Sequence, residues 1–146
     1  MITFFVPGIP QPGGSKRGFF IPKMKRVVIV DANEKKVKPW RQSVVDAARA
    51  VHVHPPLREP IRLCVRFVMP RPQHHFRTGK HKGELKPDAP NWHTKKPDAT
   101  KLLRSLEDAL TGIVWADDAQ ICEQMVEKVY GDNPGADVTI RYAHKA

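Results

Sequence analysis

The chain has 146 residues, 40% of them hydrophobic, with a formal net charge of +10; that length suits one compact domain able to bury about two-thirds of its unfolded surface. Its two cysteines, Cys64 and Cys122, lie far apart and form no CxxC pair, which excludes a disulfide scaffold or a Cys-rich zinc module and suits reduced core thiols. No apolar run approaches the roughly 18 residues of a membrane span and MITFFVPGIP lacks a basic leader, so a protein with no membrane partner and a cytoplasmic location is expected.

Met1–Val6 is an apolar, β-leaning run ended by PGIPQPGG, the pattern of a strand feeding an irregular loop. Residues 16–41 hold nine Lys or Arg, and two short apolar runs among them, Phe19–Ile21 and Val27–Val30, suit a small hairpin. From Pro39 the spacing changes. Trp40, Val44, Ala47 or Ala48, and Val51 recur every three or four residues, which predicts an amphipathic helix opening at Pro39 and ending before His54. Ile61, Leu63, Val65 and Phe67 then alternate with Arg62, Cys64 and Arg66, a strand with one buried face.

Residues 70–97 carry five prolines, many cations and no apolar period, which predicts a long functional or mobile segment. Its His74, His75, His81 and His93 match no zinc spacing and are read as part of a His-rich basic loop. Arg71, Arg77, Lys80, Lys82 and Lys86 are candidate phosphate contacts here, with Phe76 or Trp92 as candidates for stacking on exposed bases. Leu102, Leu103, Leu106, Ala109 and Leu110 fall on one arc of a helix spanning 98 or 99 to 111, closed by Gly112. Ile121–Tyr130 and Ala136–Ala143 read as strands joined by Gly131-Asp132-Asn133-Pro134-Gly135 and are expected to pair antiparallel. The result is one α+β domain over residues 1–146, β-α-β-α-β-β, with helices packed on a mixed sheet whose helix-linked strands are parallel.

Charge is distributed unevenly. Residues 1–97 hold 20 basic against 6 acidic side chains, whereas residues 98–146 hold 5 against 9. The basic part makes a field that attracts nucleic acid. The acidic part gathers Asp98, Glu107, Asp108, Asp117 and Asp118 into 21 residues. Carboxylates on fixed elements hold magnesium, and magnesium supplies what phosphodiester cleavage needs: charge against the phosphoryl oxygens and a bound water of lowered pKa. Asp98 enters one helix and Asp117-Asp118 enter the next strand, two ends that meet if helix and strand pack suitably side by side. The structural alternative makes Asp98 a helix cap and Asp117-Asp118 a polar turn.

Lys96-Pro97-Asp98, Asp108-Ala109-Leu110-Thr111-Gly112 and Trp115-Ala116-Asp117-Asp118-Ala119-Gln120-Ile121 together resemble the signature of the RusA family of Holliday junction resolvases, roughly KPDxDNLxKxxxDALxGxxWxDDxQI. The resemblance implies a RusA-like nuclease domain. Its activity would be magnesium-dependent endonucleolytic cleavage of four-way or other branched DNA, with manganese as a substitute ion. It further implies a homodimer acting in recombination and repair, in a bacterial cytoplasm or encoded by a phage. Carried over by position, Asp98, Asp118 and Arg104 are catalytic candidates, Arg104 standing where the family has a functional lysine, and Asp98, Asp117 and Asp118 are candidate metal ligands. Thr100 and Lys101 replace the family's second acid and its asparagine. Thr100 is a candidate to carry a metal-bound water, and Glu107, about 10 Å further along the helix, is an outer-shell candidate or the partner of Arg104.

Lys16, Arg17, Arg77, Lys80, Lys95, Lys96 and Lys101 are candidate DNA contacts, Lys16 and Arg17 favoured by the glycines beside them. Two other functions fit the same residues: a branched-DNA binding protein with weakened cleavage, and a basic RNA-binding protein whose acids are structural. Trp40 and Trp115 are expected in the core.

Overall fold

The computed structural model describes residues 1–13, 16–31 and 34–144; the side chains of 16–19 and 28–31 lie outside the described part. Among the described residues, six strands and two α-helices follow as β1 (Ile2–Pro7), β2 (Lys16–Ile21), β3 (Arg26–Asp31), α1 (Glu34–Val51), β4 (Ile61–Met69), α2 (Ala99–Leu110), β5 (Ile121–Tyr130) and β6 (Gly135–Tyr142). The fold is α+β. Strands β2 and β3 form the expected hairpin, separate from a four-stranded sheet of order β1-β6-β4-β5.

The period-two pattern of β4 becomes two unlike faces. Ile61, Leu63, Val65, Phe67 and Met69 are buried under the helices with Val138 and Ile140 of β6, and with Leu102, Leu106 and Leu110 of α2 and Val44 of α1. Trp40 and Trp115 join that core. Arg62 and Arg66 point the other way, to a face that no helix among the described residues covers, where they pair with Glu123 and Glu127 of β5 at 2.6 and 2.9 Å. Cys64 lies on this open face and is only partly buried, while Cys122 is exposed. The expectation of two core thiols therefore fails: Cys64 has the outward parity of its strand, and Cys122 sits next to the irregularity that shifts the β4–β5 register after Ile61.

Helix α1 begins a turn earlier than Pro39, which stands inside it. Val37 in that added turn is buried.

The larger correction concerns the last two strands. They run in opposite directions but are not neighbours: β4 lies between them, parallel to β5 and antiparallel to β6. The connection crosses the end of β4, where the amide of Gly131 donates to the Met69 carbonyl at 3.1 Å. Stepping over one strand takes about 10 Å, within reach of four extended residues, and it gives β6 two partners, β4 and β1. The helix-linked strands β4 and β5 are parallel as expected, with α2 as their crossover.

Residues 70–97 are not structureless. They leave β4, fold back over the C-terminal end of β5 and return along its edge, where Trp92 bridges Val129 and the Tyr130 amide donates to the Asn91 carbonyl at 2.9 Å. His75 and His93 are buried against the Tyr130 ring, at centroid distances of 4.7 and 4.9 Å, and the Arg71 guanidinium lies 5.4 Å from the same centroid. Two of the histidines read as loop residues are thus packing residues.

Candidate active site along helix α2

Two contacts fix how α2 lies on the sheet. Near its C-terminal end, the Gln124 amide donates to the Glu107 carboxylate. At its N-terminal end, the Lys128 ammonium donates to the carbonyls of Lys95 and Pro97, both at 2.7 Å. Since 124 precedes 128 on β5 while 107 follows 97, helix and strand pack side by side but antiparallel. Asp98 therefore lies toward the C-terminal half of β5, whereas Asp118 stands before its start.

The two acids are held differently. Asp98 occupies the N-cap of α2 with extended backbone angles, and its carbonyl accepts from the Lys101 and Leu102 amides at 3.1 Å each, but its carboxylate makes no capping hydrogen bond. That carboxylate is 64% exposed, with the Lys101 ammonium 3.8 Å away. It borders a shallow pocket also lined by Pro12, Lys96, Pro97 and Lys101.

Asp117 does what Asp98 does not. Its Oδ1 accepts from the Ala119 amide at 2.9 Å while its own amide donates to Gln120 Oε1 at 2.8 Å, closing a capping box on the short turn 118–120. Gln120 also donates to the carbonyls of Leu57 and Glu59, at 3.0 Å each, and so pins the start of β5. Asp118 is exposed and has no side-chain hydrogen bond or ion pair among the described residues. Of the Asp-Asp pair, one carboxylate builds the turn and the other is left free.

Between these ends, Thr100, Arg104 and Glu107 share one flank of α2 by helical spacing. Thr100 and Arg104 are exposed and Glu107 is half-buried. Burial is the main cause that raises the Glu107 carboxyl above its ordinary value, with the charges of Asp118 and Asp108 adding to it against the Gln124 hydrogen bond and Arg104. Glu107 is therefore held by Gln124, not by the ion pair with Arg104 weighed from sequence. On the other flank, Asp108 pairs with Arg41 of α1 at 3.3 Å. The Gly13 amide reaches the Lys101 carbonyl at 2.9 Å, bringing the N-terminal loop over this flank of α2.

Not all the predicted residues come together. Lys96 and Lys101 line the pocket with Asp98, Lys95 precedes them with its carbonyl held by Lys128, and Arg104 lies one to two turns further on. Arg77 and Lys80 stand on the outer tip of the 70–97 excursion, Arg77 within 3.5 Å of Glu84. The Lys16 and Arg17 side chains lie outside the described residues. Asp98 and Asp118 do not close into one cluster within a single chain, because α2 runs antiparallel to β5 and nine residues from Asp98 to Glu107 span about 14 Å. Among the described residues no group of three or more His, Cys, Asp or Glu could hold a metal.

Sequence alone gave no role to Gln124, Lys128 or Tyr130. A signal was present. Gln124, Val126, Lys128 and Tyr130 register with Leu63, Val65, Phe67 and Met69, the buried parity of the sheet, and polar groups on an inward row require partners.

The other signature residues are structural. Thr111 Oγ1 donates to the Glu107 carbonyl at 2.8 Å and accepts from the buried Trp115 indole at 3.1 Å. Gly112 takes a positive φ of 85° where the helix stops, and its amide reaches the Trp115 carbonyl at 2.7 Å.

No helix among the described residues is long and apolar enough to cross a membrane. The chain is 27% identical over 145 residues to the uncharacterized protein YqaN of Bacillus subtilis (strain 168), covering 96% of this chain and 95% of that one. The family model described as endodeoxyribonuclease RusA matches residues 12–141, from the N-terminal loop that packs on α2 to the end of β6. With its signature placed on α2 and the turn into β5, the chain belongs to the RusA endodeoxyribonuclease family and is a nuclease by descent.

Proposed function

We propose that this protein is a magnesium-dependent endonuclease that cuts four-way junctions and related branched DNA in recombination and repair. The observation that carries the reading is the exposed carboxylate of Asp98: it stands at a helix N-cap, where an aspartate ordinarily bonds the first amides, and forms no such bond, its ion-pair partner being the Lys101 ammonium at 3.8 Å. Asp118 makes no side-chain hydrogen bond among the described residues, beside an Asp117 whose Oδ1 caps its turn.

The donor set fits a hard divalent ion. Magnesium is held through one or two carboxylates, waters and substrate phosphate rather than an all-protein cage, so a chain without a three-acid cluster still suits it, and manganese suits the same oxygens. Asp98 and Asp118 are the candidate ligands; because they lie apart within one chain, each would hold an ion through its single carboxylate, and a bound ion supplies a water of lowered pKa and charge against the phosphoryl oxygens. Asp117, whose Oδ1 caps the turn, has the structural part in this reading. Arg104 offsets charge on the phosphate and takes no part in proton transfer, since its guanidinium stays protonated. Lys95, Lys96 and Lys101 hold the strand by its phosphates, independent of sequence.

Two symmetric cuts in a four-way junction call for two active sites related by a twofold axis, so a homodimer is part of the proposal. The face of the sheet that no helix among the described residues covers, with Phe5 and Met125 exposed at 41% and 62%, is available to it.

The test is cleavage of a synthetic four-way junction with and without magnesium, beside a linear duplex of the same sequence. Magnesium-dependent paired nicks confined to the junction support the reading. Thr100, in place of the family's second acid, favours a second one: tight junction binding with little cleavage, which the same assay reports as a shifted but uncut junction.

A further inference from the structure

Lys128 is an unusual residue for its position. It faces the helices from β5, in register with buried Phe67 and between Val126 and Tyr130, which pack against the core. Burial lowers its ammonium below the ordinary value, opposed by the charge of Asp98. A partly buried cation gains from hydrogen bonds that replace the water it loses. Lys128 finds them in backbone oxygen, through its two 2.7 Å bonds to the Lys95 and Pro97 carbonyls. Its own carbonyl accepts from the His93 amide at 3.0 Å. Main chain and side chain of one residue thus hold both ends of the stretch 93–97 that delivers Asp98 to the helix.

We propose that Lys128 is a positioning residue for Asp98: its ammonium gathers the two carbonyls into the tight approach to α2 and so keeps the Asp98 carboxylate turned from the helix amides toward the pocket with Lys96 and Lys101. The inference rests on the reading of Asp98 as a metal ligand. It adds a strand residue, thirty positions downstream, without which that ligand is misplaced. The alternative, in which Lys128 is only a neighbouring positive charge, has the opposite sign for cation binding, because removing a like charge strengthens it.

The experiment is Mn2+ binding to the metal-free full-length protein, read by electron paramagnetic resonance, for the parent, Lys128→Met, Asp98→Asn and the double variant. Junction binding in EDTA and thermal unfolding are measured alongside. Groups that orient a metal ligand are commonly worth about 10- to 100-fold in metal affinity, and Lys128→Met is expected to lose that much Mn2+ affinity, with a smaller loss of metal-free junction binding because the same stretch carries Lys95 and Lys96. The double variant is expected to match Asp98→Asn alone, since Lys128 acts through Asp98. A folded Lys128→Met with parental or tighter Mn2+ binding overturns the proposal, and so does a double variant in which the two losses add. If Asp98→Asn leaves Mn2+ binding unchanged, the assignment of Asp98 fails instead, whatever Lys128 does. Should Lys128→Met not fold, Lys128→Arg decides. It keeps the charge but spreads its donors over a planar fork, so weakened Mn2+ binding supports positioning and parental binding overturns it.

Discussion

Asp117 and Gln120 close a reciprocal pair at the entry to β5, the Asp117 amide donating to Gln120 Oε1 at 2.8 Å while the Asp117 carboxylate receives the Ala119 amide at 2.9 Å. Adjacent aspartates are thereby given different tasks, and the difference is measurable. Asp117→Ala is expected to lower stability by about 1 kcal/mol, the usual worth of an N-cap, and to leave magnesium-dependent cleavage largely intact. Asp118→Asn and Asp98→Asn are expected to abolish cleavage at unchanged stability and junction affinity. Thermal unfolding and single-turnover cleavage of the three variants check this, and the pattern fails if Asp117→Ala is the inactive one.

Thr100 and Arg104 share an exposed flank of α2, four residues apart, so a carboxylate at 100 lies next to the guanidinium without entering the core. Thr100→Asp is expected to fold normally and to lower the magnesium concentration needed for half-maximal cleavage, whereas Thr100→Ala raises it. Arg104→Gln should slow cleavage at saturating magnesium with little effect on that midpoint. A magnesium titration of cleavage rates separates the cases. Identical midpoints for Thr100→Asp, Thr100→Ala and the parent would place Thr100 away from the metal.

Glu107 gives a prediction for pH. Its folded carboxyl is raised above the ordinary 4.5 by burial, then by Asp118 and Asp108. Below the unfolded value the group is protonated in both states and burial carries no ionisation penalty; as pH rises through the raised folded value, the folded state resists losing the proton and stability falls. Glu107→Gln removes that loss while keeping an acceptor for Gln124. The melting temperature of Glu107→Gln relative to the parent is expected to rise between pH 4 and pH 7, and a flat difference would show that Glu107 ionises freely. Magnesium should diminish the gap by stabilising the ionised parent if Glu107 borders the ion.

Acid should loosen the excursion over Tyr130. Burial lowers both histidines beneath the ordinary 6.5, with His74, Arg71 and Lys86 acting further on His75 and Lys128 on His93. The folded chain therefore favours neutral rings, so the contribution is complete above about pH 6.5 and is lost as pH falls toward the lowered values. Hydrogen exchange of the Tyr130 and His93 amides, which hold the excursion to β5, is expected to speed up more between pH 7 and pH 5 than exchange in β4, once the intrinsic pH dependence is removed. A His75→Phe variant should show less of that acceleration. Equal behaviour in both strands would mean that the histidines do not hold the segment.

The chain's own pattern determined its elements and much of the candidate site. The alternation along β4 and the apolar arc of α2 are local properties of spacing, and both survive in the fold because one face of each is buried. The signature from Lys96 to Ile121 was also legible, since its residues serve a local geometry: a helix start, a helix stop at Gly112 and a capped turn at Asp117. Tertiary structure decided what depends on distant partners. Period two states that β5 and β6 are strands but not that β4 lies between them, which follows from the pairing each edge gains. Spacing along α2 could not reveal that Asp98 and Asp118 lie toward opposite ends of the helix, because that depends on its antiparallel passage over β5. The burial of His75 and His93 on Tyr130 and the grip of Lys128 on Lys95 and Pro97 join residues about thirty or more positions apart. Such contacts have no period, and only the folded chain brings them within bonding distance.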